Sequence, residues 1–252
     1  MYRLQKFLIC LQICVPLACA QQYTISTYAG PTDATINVPL NTPLGVAVDS
    51  GGSLYIADTS NHLIRKISTS GIATTIAGTG VSGYSGDQGP ATSAQLAAPS
   101  SVTVDPAGNV YIGDEGNLVI RKVSAEGIIT TFAGGGTSTA CSTVSSPATT
   151  VQLGGILSGL AADRAGNIYI SDPFNNCIRE VSPAGMITTY AGIGLYGFTG
   201  YYGFPTFQRL ASPGGVAFDS VGNFYIADTW NCRVPTVWTK SRYRVRIPQY
   251  PW

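Results

Sequence analysis

One set of motifs returns four times along this chain, at steps of 56, 58 and 56 residues. A repeat of that length dictates the architecture before composition is considered. Gly45-Val-Ala-Val-Asp49 recurs as Ser101-Val-Thr-Val-Asp105, Gly159-Leu-Ala-Ala-Asp163 and Gly215-Val-Ala-Phe-Asp219. A turn follows each copy, and then a second run: Leu54-Tyr-Ile-Ala-Asp58, Val110-Tyr-Ile-Gly-Asp114, Ile168-Tyr-Ile-Ser-Asp172 and Phe224-Tyr-Ile-Ala-Asp228. A third run, Asn61 to Ile67, is matched by Asn117 to Val123 and Asn175 to Val181, and a fourth, Gly71 to Gly78, by Gly127 to Gly134 and Gly185 to Gly192. The runs are short, rich in Val, Ile, Thr and Tyr, and bounded by Gly, Asp, Asn and Pro, which is the signature of strands. No helical periodicity lies between them. Four strands per unit, repeated, describe the blades of an all-β propeller. The small, apolar first strand suits the crowded position near the axis.

These motifs resemble the NHL-repeat family, over roughly residues 23 to 234. The resemblance implies a β-propeller of four-stranded antiparallel blades, most often six in number, that acts by binding partners. It implies that the turns between second and third strands share one face with the long inter-blade connections, where propellers commonly bind. It also implies that Arg65, Arg121 and Arg179 pair across blades with the recurring acids, and that His62 is structural. Four units leave two arrangements open. Gln22 to Gly30 matches a fourth strand and would close a four-bladed ring if it completed the last unit; otherwise the chain is an incomplete six-bladed ring. The fourth unit breaks pattern after Val234, where Pro235 removes a ladder donor. The tail from Ser241 to Trp252 has no counterpart in the repeat.

The recurring polar residues read as turn chemistry. Asp105-Pro-Ala-Gly-Asn109, with its copies at Asp163 and Asp219 and a looser one at Asp49, places an acceptor at the start of a turn and glycine where φ turns positive. A calcium site needs six to eight oxygens brought together, which one aspartate per blade does not supply. Asp58, Asp114, Asp172 and Asp228, with Asn61, Asn117, Asn175 and Asn231 three residues on, are read as structural turn residues that cap by side-chain bonds to the backbone. A cation-binding ring of these four aspartates around the channel is the alternative reading.

Residues 1–20 read as a signal peptide: Arg3 and Lys6, then an apolar run from Phe7 to Leu17, then Ala18-Cys19-Ala20 before Gln21. That run is too short to span a bilayer, and no later stretch is long and apolar enough. The expected organisation is therefore a signal at 1–20, a propeller at 21–239 and an atypical basic and aromatic tail at 240–252, in a secreted protein. Beyond the signal only Cys141, Cys177 and Cys232 remain, an odd number that allows one disulfide at most. A Cys177–Cys232 bridge is one possibility, and three buried thiols are the other. The net charge of +1 gives no signal for nucleic acid. Lys240, Arg242, Arg244 and Arg246 concentrate positive charge in the tail and leave the body mildly acidic.

Long connections carry the candidate binding residues, because loops beyond about 15 residues are usually functional. Tyr84 and Asp87 lie in a glycine-rich insert between the first two units. Tyr196, Phe198, Tyr201, Tyr202 and Phe204 lie in the third connection, either as an exposed contact patch or as a small satellite core. The first expectation is a binding module for a protein or a glycan, with no cofactor or metal. The alternatives are a metal-dependent lyase or hydrolase working in the channel, and a fragment without a function of its own. Enzymes of that kind need several histidines or converging carboxylates. This chain has the single His62, and its glutamates are Glu115, Glu126 and Glu180.

Overall fold

The computed structural model describes residues 29–30, 36–37, 39–155, 159–200, 203–238 and 245–246. The proposed signal segment, Tyr201, Tyr202 and most of the basic tail lie outside the described residues. Among those residues there is no α-helix. A small parallel pair, β1 (Ala29–Gly30) with β2 (Ile36–Asn37), precedes the repeats. The first blade is β3 (Pro43–Val48), β4 (Leu54–Asp58), β5 (Leu63–Ile67) and β6 (Ala73–Ala77). The second is β7 (Pro99–Val104), β8 (Val110–Asp114), β9 (Val119–Val123) and β10 (Ile129–Gly134). The third gains an extra edge strand, β11 (Ser146–Pro147), outside β12 (Leu160–Ala162), β13 (Ile168–Asp172), β14 (Cys177–Val181) and β15 (Met186–Ala191). The fourth is β16 (Pro213–Phe218), β17 (Phe224–Asp228), β18 (Thr236–Val237) and β19 (Val245–Arg246). Neighbouring strands within every blade are antiparallel, and the whole is a four-bladed β-propeller.

Alternation along each strand sends side chains to the two faces of a blade, and each face is an apolar surface that another blade must cover. Three clusters do this. Ala47, Tyr55, Ala57 and Ile64 of the first blade meet Val102, Val104, Val110 and Ile112 of the second. Tyr111, Ile120 and Phe132 meet Leu160, Ile168 and Ile170. Ala161, Tyr169, Ile178 and Tyr190 meet Val216, Phe218, Phe224 and Ile226. Each fully buried Val, Ile or Phe contributes about 1.5–3 kcal/mol by leaving water. Glycine sets the spacing of the inner strands. A Cβ on Gly45 would lie 2.6 Å from the Ser101 Cα, and one on Gly159 would lie 2.3 Å from the Gly214 carbonyl.

Two sequence expectations need correction here. Ala29 and Gly30, the described end of the expected N-terminal strand, do not pair with the fourth blade. β1 pairs with β2, and the outer strand of the fourth blade is β19 from the tail, antiparallel to β18. Hydrogen bonding to Thr236 and Val237 needs only extended backbone, which the unrelated tail sequence supplies. The disulfide joins Cys141 to Cys177 and leaves Cys232 an exposed thiol. Cys177 is fully buried on β14, and the connection that carries Cys141 folds back over it.

The inner strands at the two ends of the array are more exposed than those between them. β3 turns Leu44, Val46 and Val48 to solvent at 60%, 66% and 64% exposure. The equivalent β7 residues Ser100 and Val102 are buried at 3% and 4%. At the other end Gly215 and Ala217 on β16 are exposed, and a Cβ on Gly215 would meet nothing within 4 Å.

Candidate functional site

Every blade builds one polar clamp where its second strand ends. In the third blade the buried Asp172 carboxylate accepts from Asn175 Nδ2 at 2.9 Å, from Arg179 Nε at 2.9 Å and from the Gly154 N–H at 3.1 Å. In the first, Asp58 accepts from Asn61 Nδ2 at 3.0 Å, Arg65 Nε at 3.1 Å and the Asn41 N–H at 2.7 Å. Asp228 repeats the set with Asn231, Arg233 and the Ala211 N–H. Asp114 keeps Asn117 and the Ala97 N–H, with Arg121 3.6 Å away. Burial pushes the Asp114 carboxyl up, more than the bonds from Asn117, Ala97 and Arg121 draw it down. Arg65, Arg121 and Arg179 stand on the strand next to their aspartate in the same blade, so the expected pairing across blades is corrected. A tight turn follows strand two, and it brings together residues seven apart in the first three blades and five apart in the fourth.

The clamp fixes the turn that follows. A 3₁₀ turn spans Thr59–Asn61, Glu115–Asn117 and Thr229–Asn231, and the next residue is left-handed: His62 at φ 56°, Leu118 at 55°, Cys232 at 50°. In the third blade Asn176 takes that place at φ 51°. His62 Nδ1 accepts from the Ala98 N–H at 3.0 Å, and Asn176 Oδ1 accepts from the Ser212 N–H at 3.0 Å. His62 thus ties its turn to the following connection. The turns between first and second strands follow the sequence logic: Asp105 accepts from the N–H groups of Ala107 and Asn109, both at 2.9 Å, and Gly108 sits at φ 84°.

Turns and connections share one face. Asn117 donates to the Gly83 carbonyl at 2.9 Å, Asn231 to Gly197 at 2.8 Å, and Asn175 to Gln152 at 3.3 Å. Tyr84 and Asp87 are both exposed, and both engage Arg121. Asp87 pairs with Arg121 at 2.6 Å and accepts from Thr131 at 2.7 Å, and Arg121 lies 4.9 Å from the Tyr84 ring centroid. The third connection repeats this arrangement, with Arg233 4.3 Å from the Phe198 ring centroid. Its aromatics are neither a closed satellite core nor free of contacts. Phe204 and Phe207 meet edge to face at 5.8 Å, while Tyr196, Phe198, Phe204 and Phe207 stay 58%, 45%, 46% and 68% exposed.

Sequence reasoning missed two residues on this face. Phe174 and Trp230 occupy the tip position of their turns, where the first two blades have Ser60 and Gly116, and they are 75% and 69% exposed. The signal was present in the repeat alignment: one position goes from small to aromatic in the last two copies. The four clamp aspartates are each enclosed within their own blade. Among the described residues no group of three or more His, Cys, Asp or Glu is placed to hold a metal ion. No helix among them is long and apolar enough to cross a membrane.

Comparison with known proteins matches the NHL repeat to residues 40–67 and 210–234, and the teneurin NHL domain to residues 79–124. Human NHL repeat-containing protein 2 is 26% identical over 80% of this chain and 32% of its own length. Human teneurin-4 is 36% identical over 35% of this chain and 4% of its own. This chain therefore spans a third or less of either relative. Among solved structures, a nidogen/laminin complex aligns at TM-score 0.57 and 18% identity, over 84% of this chain and 66% of that one. A streptogramin B lyase aligns at 0.54 and 14%, over 86% and 57%. At these identities the likeness shows the fold alone.

Proposed function

From the premise that this is an NHL-repeat β-propeller, we propose that the chain is a secreted binding module taking a protein or glycan ligand on the turn-and-connection face of its third and fourth blades. The observation that carries the reading is the exposed aromatic set of Phe174, Trp230, Tyr196, Phe204 and Phe207 on that face. Exposed aromatics in a contiguous region mark contact surfaces, and they supply much of the energy of such contacts. Two of them, Phe174 and Trp230, stand on clamped turns, so the backbone that carries them is already ordered before a ligand binds. One of the solved structures alike in fold is that of a nidogen/laminin complex, which is in keeping with a propeller that binds a partner. The one histidine already accepts a backbone bond, and each clamp aspartate is paired with arginine.

The test is to apply the chain to a glycan array and to a panel of purified secreted proteins, then to repeat any positive with Phe174→Ser and Trp230→Ser. Each substitution is at the surface and changes stability by about 0.5 kcal/mol or less. Loss of binding by about tenfold or more in either variant, with an unchanged melting temperature, is the expected result. Binding that survives both substitutions would remove this face as the site.

A further inference from the structure

The three blade junctions inside the chain obey one rule. The inner strand of each blade presents a small-residue face forward, to the next blade: Gly45 and Ala47, then Ser101 and Thr103, then Gly159 and Ala161. Its backward face carries at least one larger apolar side chain. Val102 and Val104 fill the first junction, Leu160 and Ala162 the second, Val216 and Phe218 the third. The second strand adds a tyrosine to each forward face, Tyr55, Tyr111 and Tyr169.

The two ends of the chain carry the unmatched halves of a fourth such junction. The first blade exposes Leu44, Val46 and Val48 on its backward face. In register, the fourth blade exposes Gly215 and Ala217 on its forward face, beside the half-buried Tyr225 and the 51% exposed Val234. The halves are complementary in the same sense as the buried ones: valines opposite glycine and alanine. Within one chain they do not meet, because both remain exposed.

We propose that two copies of this chain assemble head to tail. The forward face of each fourth blade packs against the backward face of the partner's first blade, and two four-bladed arcs form one closed ring. Two copies supply two such junctions, each continuing the packing of the three inside the chain, and no apolar blade face is left bare. A heterologous contact of this kind forms a ring where its rotation closes, and eight blades lie within the range propellers adopt. The interface is built by the blade repeat and is separate from the aromatic turn face.

Size-exclusion chromatography with light scattering, and sedimentation velocity over a wide concentration range, test this on the full chain. The expected mass is twice the 26.3 kDa of one chain. Val46→Asp and Ala217→Arg each alter a side chain exposed in the single chain, so each variant folds and its mass falls twofold. Mixing V46D with A217R restores the doubled mass. In that pair one junction is unaltered and the other sets the introduced charges opposite each other. A single-chain mass at every concentration overturns the proposal and assigns the faces to other blades. So does a doubled mass that neither variant changes, a mixture that stays monomeric, or an open-ended ladder of masses.

Discussion

Replacing Asp172 by alanine removes the acceptor at the centre of a fully enclosed clamp and leaves three donors facing a void: Arg179 Nε, Asn175 Nδ2 and the Gly154 N–H. Arg179 is 2% exposed, so its charge cannot turn to water, although Thr139 and Ala140 carbonyls still accept from its other nitrogens. Breaking one partner of such a buried pair costs about 3–5 kcal/mol. That is a large share of the roughly 5–15 kcal/mol that holds an ordinary domain folded. For a domain of this size it lowers the melting temperature by about 10 °C. Asp58→Ala makes the same chemical change where Arg65 is 21% exposed and can be rehydrated, so its cost falls to about 1–3 kcal/mol. Circular-dichroism melts and urea titrations of the two variants read the contrast directly. The double variant Asp172→Leu with Arg179→Met restores part of the loss, since removing both charges leaves none unpaired. If D172A stays within about 1 kcal/mol of the parent, or if D58A costs as much, the clamps do not stabilise the blades through buried ion pairing and this reasoning fails.

Three further outcomes are expected. Gly159→Ala drives a Cβ to 2.3 Å from the Gly214 carbonyl and costs about 1–3 kcal/mol in a urea titration, whereas Gly215→Ala, with open space around it, is near neutral in the single chain. Glu180 stands where the first two blades have Lys66 and Lys122; burial and then the nearby Asp163 push its carboxyl up, partly offset by the bond from Tyr169. An acid whose folded pKa is raised contributes most below its unfolded pKa, and stability is lost as pH rises through the folded value. Glu180→Gln therefore flattens that decline and melts higher than the parent at neutral pH, while equal slopes of melting temperature against pH would rule the effect out. Finally, a thiol reagent applied to native residues 21–252 labels Cys232 alone, and reduction exposes Cys141 and Cys177 with a loss of about 3–4 kcal/mol for a loop of this size. A non-reducing peptide map showing any other pairing contradicts the structure.

Much of the fold was legible because a propeller blade is a local object. Its strands are consecutive, its turns are set by Asp, Asn and Gly at fixed offsets, and its alternation shows in each copy. The turn roles of Asp105, Asp163 and Asp219 follow from side chains that reach only a few residues along the chain. The aromatic connection was legible for the same reason. Phe174 and Trp230 escaped notice because each is one residue in an otherwise regular motif, and only exposure marks it as surface.

What the sequence determined by itself is the blade: four repeated units of short strands, the small inner strand, and the turns set by Asp, Asn and Gly. Tertiary structure alone decided which distant pieces meet. Cys141 joins Cys177 because a connection folds back over β14. The tail, not Ala29 and Gly30, edges the fourth blade because hydrogen bonding to β18 asks for extended backbone and for no particular side chain. The exposure of Leu44, Val46 and Val48, against the burial of Ser100 and Val102 at equivalent positions, is likewise set by which blade packs beside which, because the motif itself is the same in both copies.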